Sequence, residues 1–359
     1  MTLRHGFTTG TAAAAAAKAA VLYLSAGVGL SRVDVPLPAG GRLEVPVARV
    51  LREGAGGRAV VVKDAGDDPD VTDGAEIHAV VRKTPGTGIA VAGGSGVGRV
   101  TLPGLPVAVG EPAINPDPMR QIRAAAAEGL AGANVGIEIV IEVPEGERLA
   151  ARTMNPRLGI VGGISILGTR GTVVPFSHDS WLASIKQAMD VARAKGYGAM
   201  ALATGRRSAD WIARDKKLPE HAVVEMADFY AMSLKAAARR GFRTVVIASM
   251  FGKCVKHALG LENTHARYAQ LDFGSLAGWC REAGLDAAAA QFVEGANTGR
   301  QVLEIIDGSP ARRHILYMLA KKSVTIARGF TGPGPNLEYY VYDYGGNVLA
   351  STTNEGDSP

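Results

Sequence analysis

The sequence predicts an α/β protein in which an α+β N-terminal domain precedes a Rossmann-like domain built on a parallel sheet. Before residue 150, short valine-rich segments alternate apolar with polar residues, which is typical of a half-covered sheet. After residue 150, apolar strand-like segments alternate with helical segments, which favours a parallel sheet covered by helices. The length of 359 residues also suits two domains. We therefore predict domains over 1–150 and 151–330, with a hairpin and tail over 331–359.

The composition points to a small anionic ligand. The net charge is +5, and the basic residues are dispersed apart from short pairs, whereas a nucleic-acid binder usually carries a denser basic stripe. Aromatic residues make up only 6% of the chain, which disfavours stacking platforms for single-stranded nucleic acid. We predict a small-molecule substrate and no nucleic-acid partner, and the sequence leaves open whether the protein forms a homo-oligomer.

Cysteine usage and hydropathy fit a soluble cytoplasmic protein without a membrane partner. Cys254 and Cys280 form neither a disulfide framework nor a metal-binding CxxC pair. The alanine-rich N-terminal run imitates a signal peptide, but Lys18 interrupts it and the preceding threonines are typical of a helix start. No other segment approaches the roughly 20 uncharged apolar residues that a membrane span requires.

The first domain begins with a predicted helix over 12–25, which Gly27 ends. Thr8, Thr9 and Thr11 lie at its start, where free N–H groups favour an anion, although simple capping by Thr9 or Thr11 is the preferred explanation from the sequence alone. The acidic loop over 64–73 has oxygen ligands for a hard cation but lacks EF-hand spacing, so a solvated turn is preferred. Strands are predicted over 32–35, 42–51, 58–63, 76–83, 88–92 and 135–143, with a helix over 118–129.

The second domain is predicted from strand–helix alternation. An apolar run over 158–161 empties into a glycine-rich segment, and this strand is taken as the first of the parallel sheet. Further strands are predicted over 198–204, 221–225 and 244–250. The predicted helices cover 181–195, 227–240, 274–283, 287–306 and 312–328, and the hairpin over 337–351 turns at Gly345-Gly346.

Ligands of open parallel sheets lie beyond the carboxyl ends of the strands. The predicted strand ends bring backbone N–H groups, two carboxylates, cations and histidines to one edge, which suits a nucleoside-bearing cofactor beside an anionic substrate. The residues concerned are Gly162, Gly163, Ser165, Gly168 and Thr169; Thr204, Gly205, Arg206 and Arg207; Glu225 and Asp228; and Lys253, His257, Thr264 and His265.

Three common site patterns are missing from the sequence. No glycine triplet after a strand has GxGxxG spacing, and Gly252-Lys253 lacks the remainder of a Walker loop. The histidines form no HExxH motif, and His257 and His265 are poorly spaced for one helical face, so no protein-bound metal is predicted.

With these residues in view, the sequence resembles the cobalt-precorrin-5B C1-methyltransferase family of corrin-ring biosynthesis. The resemblance is spread in order over most of the chain, although Ala12 stands where cysteine is common, which argues against a required thiol there. The matching stretches are LRHGFTTGTAAAAAAKAA (3–20), NPRLGIVGGISILGTRGTVVPFS (155–177), ALATGRRS (201–208), EMADFYAMSLKAA (225–237), MFGKCVKHALGLENTHARYAQLD (250–272) and EGANT (294–298).

The resemblance implies a two-domain α/β enzyme of cobalamin biosynthesis. It would use S-adenosylmethionine to methylate C1 of cobalt-precorrin-5B, an anionic cobalt corrinoid, and give cobalt-precorrin-6A. Orientation of donor and acceptor can contribute roughly 7–11 kcal/mol in favourable cases, so a strong protein base is not obligatory.

Site roles follow as expectations from that resemblance. The cofactor is expected on Gly162, Gly163, Ser165, Gly168, Thr169, Thr204, Gly205, Glu225 and Asp228. The acid arms of the substrate are expected on Thr8, Thr9, Thr11, Arg206, Arg207, Lys253, His257 and Thr264. His265 is the candidate for proton handling or a contact on the cobalt side.

Purely structural roles for these residues, and other classes of function, stay open at this point. Arg206 and Arg207 also suit a solvated surface, and Glu225 suits a helix N-terminus whose dipole it would satisfy. A phosphotransferase could use the same anion-holding loops, and a non-enzymatic tetrapyrrole carrier could use the basic cleft without a cofactor loop.

Overall fold

The computed structural model describes residues 3–353, and the chain divides into two compact units between Asp179 and Ser180. The division differs from the boundary expected near residue 150. The reason is that short strands between residues 160 and 173 pair with strands near the start of the chain and around residues 96–100. Of the predicted tail, residues 354–359 lie outside the described residues.

The first unit is an antiparallel-rich sheet covered by two long helices. Its helices are α1 (Thr9–Ala26), α2 (Pro116–Leu130) and α3 (Gly146–Ala150). Its longer strands are β2 (Arg32–Pro36), β3 (Arg42–Pro46), β4 (Arg49–Glu53), β5 (Gly56–Val62), β6 (Glu76–Thr84), β7 (Gly88–Gly93) and β10 (Gly136–Glu142). Two-residue strands complete it: β1 (Gly6–Phe7), β8 (Gly96–Val97), β9 (Arg99–Val100), β11 (Ile160–Val161), β12 (Gly163–Ile164) and β13 (Thr172–Val173).

The main sheet of this unit has the order β4-β5-β6-β10-β7. All neighbouring strands are antiparallel except β10 and β7, which run parallel. Alternating burial along β10 places Ile137, Ile139 and Ile141 in the core, as the period-two pattern predicts. The prediction of an α+β first domain is confirmed.

Helix α1 lies in the core of the first unit. Its alanines from Ala12 to Ala17 have no exposed surface, and a helix that is apolar on every side is expected to be buried. Thr8 caps its start by accepting a hydrogen bond from the Thr11 N–H at 3.2 Å, and Gly27 ends it in the left-handed region. This burial explains why the run imitates a signal peptide.

Glu128 on α2 links helix α1 to strand β3 through two ion pairs. Glu128 accepts hydrogen bonds from Lys18 Nζ at 2.6 Å and from Arg42 Nη2 at 2.8 Å. The Arg42 guanidinium and then the Lys18 ammonium lower the pKa of Glu128 from 4.5 to about 2. Lys18, which breaks the apolar run in the sequence, is thus held at the helix surface.

The acidic loop over 64–73 is occupied by protein contacts. Asp70 accepts from the buried Lys63 Nζ at 2.8 Å, and Asp73 accepts from the Ala65 N–H at 2.8 Å. Among residues 3–353, no group of three or more His, Cys, Asp or Glu side chains is arranged to hold a metal ion. The loop is therefore a hydrogen-bonded turn in this fold.

The second unit alternates strands and helices. Its strands are β14 (Ala199–Ala203), β15 (Val223–Glu225), β16 (Thr244–Met250), β17 (Asn336–Tyr342) and β18 (Val348–Thr353). Its helices are α4 (His178–Ala194, which starts two residues before the boundary), α5 (Arg206–Lys216), α6 (Tyr230–Arg239), α7 (Phe251–Ala258), α8 (Phe273–Glu282), α9 (Ala287–Glu294), α10 (Gly299–Ile306) and α11 (Arg312–Thr331).

The sheet of this unit has the order β15-β14-β16-β17-β18. The first four strands are parallel and β18 is antiparallel to β17. Helix α5 packs on one face through Ala209 and Ile212, and the other helices contribute to the larger core on the opposite face. The prediction of a Rossmann-like α/β second domain is confirmed.

The second unit differs from the predictions in several details, and helices α5 and α7 lie where no helix was predicted. The helix expected over 287–306 is two helices, because Gly295 interrupts it and Thr298 caps α10 by accepting from the Gln301 N–H at 3.1 Å. The C-terminal hairpin forms, but β17 also pairs with β16 along its whole length, so it is part of the main sheet rather than a separate segment. Within residues 3–353, none of the helices is both long and apolar enough to cross a membrane.

Candidate active site

The glycine-rich segment over 162–169 belongs to the first unit. Its strands β11 and β12 pair with β9 and β8, not with the parallel sheet of the second unit. The expectation that Gly162, Gly163, Ser165, Gly168 and Thr169 lie at the carboxyl edge of that sheet is therefore wrong. These residues were assigned to the cofactor because they were expected at that edge, so the geometric reason for the assignment no longer holds.

Two of these glycines are required by close backbone packing. A Cβ on Gly163 would lie 2.1 Å from the carbonyl oxygen of Gly96, and a Cβ on Gly168 would lie 2.3 Å from Thr8 Oγ1. A side chain at either position would force the backbone apart. Gly162 differs, because it is exposed and a Cβ there would meet no atom within 4 Å, although its φ of 81° disfavours other residues.

The threonines at the start of α1 hold this segment in place. Thr9 Oγ1 accepts from the Leu167 N–H at 2.9 Å, and Thr11 Oγ1 donates to the Gly171 carbonyl at 2.7 Å. Ser165 Oγ donates to Asn155 Oδ1 at 3.2 Å. All four side chains, counting the helix cap Thr8, are buried and occupied within the protein.

This geometry contradicts the expectation that Thr8, Thr9 and Thr11 contact substrate carboxylates, because their hydroxyls are directed at protein atoms away from solvent. A threonine does cap the helix, as the alternative interpretation held, but that threonine is Thr8 rather than Thr9 or Thr11. Within this segment Gly162 and Thr169 are the predicted cofactor residues that are exposed.

The carboxyl ends of the parallel strands form one edge of the sheet in the second unit. At this edge the turn from β14 to α5 faces open space. Gly205 is the N-cap residue of α5, has an extended backbone with φ of 167°, and supplies no capping side chain. A Cβ at this position would meet no heavy atom within 4 Å, so open space lies directly before the helix. An uncapped helix N-terminus facing open space suits a polar or anionic group.

The end of the neighbouring strand supplies a carboxylate. In the parallel register Glu225 of β15 pairs with Ala203, the last residue of β14, and the Met226 N–H donates to the Ala203 carbonyl at 2.8 Å. Glu225 is half-buried. Adjacent strands lie about 4.8 Å apart, so the Glu225 backbone is one strand spacing from the turn that carries Thr204 and Gly205.

Arg206 and Arg207 are exposed in the first turn of α5. Arg206 Nε lies 3.1 Å from Asp210 one helical turn on. Exposed pairs of this kind contribute about 0.3–0.5 kcal/mol, so the guanidinium can exchange partners readily.

A cation–carboxylate cluster follows β15 and β16. Asp228 pairs with Lys253 and accepts from Thr264 Oγ1 at 2.8 Å, and Lys253 Nζ donates to the same hydroxyl oxygen at 2.9 Å. Lys256 Nζ donates to the Thr264 carbonyl at 2.9 Å. With two lysines and one aspartate, the cluster carries one net positive charge.

The electrostatics of this cluster favour the charged pair. Burial alone would raise the pKa of Asp228, but hydrogen bonds from Lys253 and Thr264 outweigh it and hold that pKa below its ordinary value. Burial, and then the charge of Lys253, lower the pKa of Lys256. Asp228 and Thr264 therefore position Lys253, and the full burial of Thr264 contradicts its expected contact with substrate.

His265 is exposed beside the cluster. Its main-chain N–H donates to Asn263 Oδ1 at 2.9 Å, and its Nδ1 accepts from the Arg267 N–H at 3.2 Å. The second of these bonds orients the imidazole. Hydrogen bonds from Lys253 and Lys256 to the Thr264 carbonyl hold the loop that carries His265. A proton-handling role for His265 stays a prediction.

His257 lies in the core, which contradicts the expectation that it contacts substrate. It has no exposed surface, stacks on Tyr230 with ring centroids 3.6 Å apart, and places Nδ1 2.5 Å from the Tyr339 hydroxyl. Burial, together with the charges of Lys253 and Lys256, holds the pKa of His257 well below its ordinary value. The imidazole is therefore neutral and structural.

The buried network around His257 was missed by the sequence analysis. Tyr339 also bonds Ser249 at 2.9 Å, and Tyr230 donates to the Ser323 carbonyl at 2.9 Å. Burial raises the pKa of Cys254 to about 12, and both cysteines are buried free thiols. One signal was available: His257 lies three residues after Cys254, beside the apolar stripe of α7.

Taken together, the second unit defines a Rossmann-like domain with a ligand edge. That edge combines an uncapped helix N-terminus, a strand-end carboxylate and clustered cations, an arrangement that suits a small polar or charged molecule.

The chain belongs to the CbiD family. The family model described as CbiD matches residues 1–175, and the one described as CbiD, C-terminal domain, matches residues 263–353. A relative named "Cobalt-precorrin-5B C(1)-methyltransferase" from Nitratidesulfovibrio vulgaris is 49% identical over 97% of this chain and 92% of its own length.

Two further relatives carry the same name. The protein from Salinispora arenicola is 45% identical over 98% of this chain and 93% of its own length, and that from Geobacillus kaustophilus is 43% identical over 99% and 96%. A crystal structure of cobalamin biosynthesis protein (cbiD) from Archaeoglobus fulgidus is 32% identical, covers 70% of this chain and 78% of its own, and has a TM-score of 0.40.

Proposed function

We propose that this protein transfers a methyl group from S-adenosylmethionine to C1 of cobalt-precorrin-5B, giving cobalt-precorrin-6A in cobalamin biosynthesis. The observation that carries the proposal is the 49% identity, over 97% of the chain, to a protein named for this methyl transfer. The chain also spans 92% of that relative, so the comparison concerns the whole enzyme.

The carboxyl edge of the second unit fits the donor. Open space before Gly205 and the uncapped start of α5 leave room for polar groups, and Glu225 lies at the end of the next strand, where a carboxylate can accept from ribose hydroxyls. When bound, S-adenosylmethionine supplies an electrophilic methyl on a sulfonium. In this proposal Thr204, Gly205 and Glu225 hold and orient it.

The cations nearby fit the acid arms of the corrinoid. Arg206 and Arg207 are exposed and can offer bidentate guanidinium contacts to carboxylates. Lys253 is committed to Asp228 and Thr264, so its part is to fix the loop that presents His265. The cofactor roles expected of the exposed Gly162 and Thr169 in the first unit stay predictions.

Positioning is the main contribution expected of the protein. The nucleophile is an electron-rich ring carbon, and alignment of that carbon behind the sulfonium methyl can supply roughly 7–11 kcal/mol in favourable cases. The new bond joins C1 to the methyl carbon, and the sulfur–methyl bond breaks. In this proposal His265 takes or gives a proton at the exposed rim, and the hydrogen bond from the Arg267 N–H that orients its imidazole supports this role.

The test uses the full chain with cobalt-precorrin-5B and deuteromethyl S-adenosylmethionine, followed by mass spectrometry of the corrinoid. We expect the mass gain of one labelled methyl group, located at C1 by NMR. The metal-free ring in a parallel reaction reports ring preference. Corrinoid binding without mass gain would instead indicate a carrier, and ATP consumption with the same substrate would indicate a phosphotransferase.

A further inference from the structure

A cavity of about 570 Å³ lies in the second unit, lined by the end of α7, by α8 and by the middle of α11. Ala258, the last residue of α7, is one of its lining residues. Helix α7 starts at the carboxyl end of β16, and its eight residues at 1.5 Å each carry the chain about 12 Å away from that edge. None of the residues assigned above to donor or corrinoid lines this cavity.

The lining combines aromatic faces with cations. Lys322 Nζ lies 4.8 Å from the Trp279 ring centroid, and Lys321 Nζ lies 5.5 Å from that of Tyr317. These contacts hold both ammonium groups over aromatic surface. Among the described residues neither lysine has an ion-pair partner within 4.0 Å, so their charge is available to a ligand. His314 adds an exposed imidazole to the rim.

A buried hydroxyl in the wall lacks a hydrogen-bond partner. Tyr317 Oη is buried and pairs with no other described group. Leaving a buried polar group unpaired is unfavourable, and structures rarely retain one without a reason. With under 1 Å² of accessible surface, this oxygen is out of reach of a molecule in the cavity, so Tyr317 offers a ligand its ring and not its hydroxyl.

We propose that this cavity binds a small organic anion with a flat apolar body, such as an aromatic carboxylate. The aromatic walls would cover the flat body, and the two lysines would neutralise the charge. The volume lies in the range of small-molecule sites, roughly 300–1,000 Å³. This site is separate from the methyl-transfer edge and does not depend on that function.

The probe is 2-naphthoate, and its uncharged counterpart is 2-naphthamide. Each is titrated into the full chain by isothermal titration calorimetry at low ionic strength. We expect saturable binding of naphthoate at one site and at least tenfold weaker binding of naphthamide. Equal affinities would overturn the proposal, because they would show that charge plays no part.

Variants assign the binding to the cavity. Lys322→Gln and Lys321→Gln should each weaken naphthoate binding about fivefold or more and leave naphthamide binding unchanged. The matched control is Lys186→Gln, an exposed lysine on α4, which should bind naphthoate like the unsubstituted protein. Far-UV circular dichroism of every variant confirms that the chain is folded. Unchanged binding in both cavity variants would place the probe elsewhere and refute the site.

Discussion

Replacement of Gly205 by valine tests the placement of the donor most directly. Gly205 has an extended backbone that any residue can adopt, and a Cβ there meets no heavy atom within 4 Å. The fold therefore accommodates the larger side chain. We expect the free energy of unfolding to fall by no more than about 1 kcal/mol, since valine is a poorer helix N-cap residue than glycine but disturbs no packing.

The effect on donor binding should be much larger. The space that valine would fill is the space assigned to the polar part of S-adenosylmethionine at the start of α5. Forcing extra methyl groups into occupied volume typically costs about 1–3 kcal/mol. At 1.4 kcal/mol per factor of ten, the Kd for S-adenosylmethionine should rise roughly 5- to 150-fold.

The measurement is isothermal titration with S-adenosylmethionine, paired with urea unfolding of the same samples. Gly329→Val is the matched control, because Gly329 is also open to a new Cβ but lies near the end of α11, which leads to the amino end of β17. The control should bind the donor normally. If the Gly205 variant binds within twofold of the unsubstituted protein, the donor does not lie at this turn.

Three further predictions follow from packing and charge. Gly163→Ala should lower the free energy of unfolding by at least about 2 kcal/mol, because its methyl carbon meets the Gly96 carbonyl oxygen; an unchanged urea midpoint would contradict that close packing. Glu128 has a depressed pKa of about 2 in the folded state, so its stabilising effect is complete above 4.5 and is lost as the pH falls towards 2. After allowance for partial exposure, Glu128→Gln should cost about 1 kcal/mol at pH 7 and progressively less below pH 4.5, measured by urea unfolding across pH; a constant difference would refute this linkage. His257→Phe keeps the stacking on Tyr230 and should leave the KM for the corrinoid unchanged within twofold, whereas a tenfold rise would show that the imidazole reaches the substrate.

The second unit was largely predictable because its signals are local. The strand predicted over 244–250 matches β16 to the residue, since a short and strongly apolar segment rich in β-branched residues has few other interpretations. The helix over 312–328 also forms, extended to Thr331. Strand–helix alternation then determines a parallel sheet, because parallel neighbours need a crossover between them.

The segment over 155–177 misled the prediction because its determinants are remote. An apolar run followed by two glycines is the local pattern of a strand entering a cofactor loop. Its actual partners are two-residue strands, and Gly163 pairs with Gly96, more than sixty residues earlier. Hydroxyls of Thr9 and Thr11 complete the arrangement, and nothing in the local pattern encodes pairing at that distance.

The buried network of the second unit shows the same limit at a smaller scale. Tyr339 reaches His257 only because β17 lies beside β16, and the crossover between those strands contains several helices. No helix was predicted where α7 lies, and the sequence does not indicate which hydroxyl meets His257. The apolar spacing of α7 would have predicted a buried His257 rather than a contact with substrate.

The ion pairs of the edge divide its cations into two groups. Arg206 shares an exposed, weak pair with Asp210, so a substrate carboxylate can replace that partner at little cost. Lys253 is different, because its bonds to Asp228 and Thr264 are partly or fully shielded, and breaking a shielded pair leaves a poorly solvated charge behind. Acid arms of the corrinoid would therefore find the guanidinium groups of α5, while Lys253 keeps the His265 loop in place. The same positive charge thus serves recognition where it is exposed and positioning where it is enclosed.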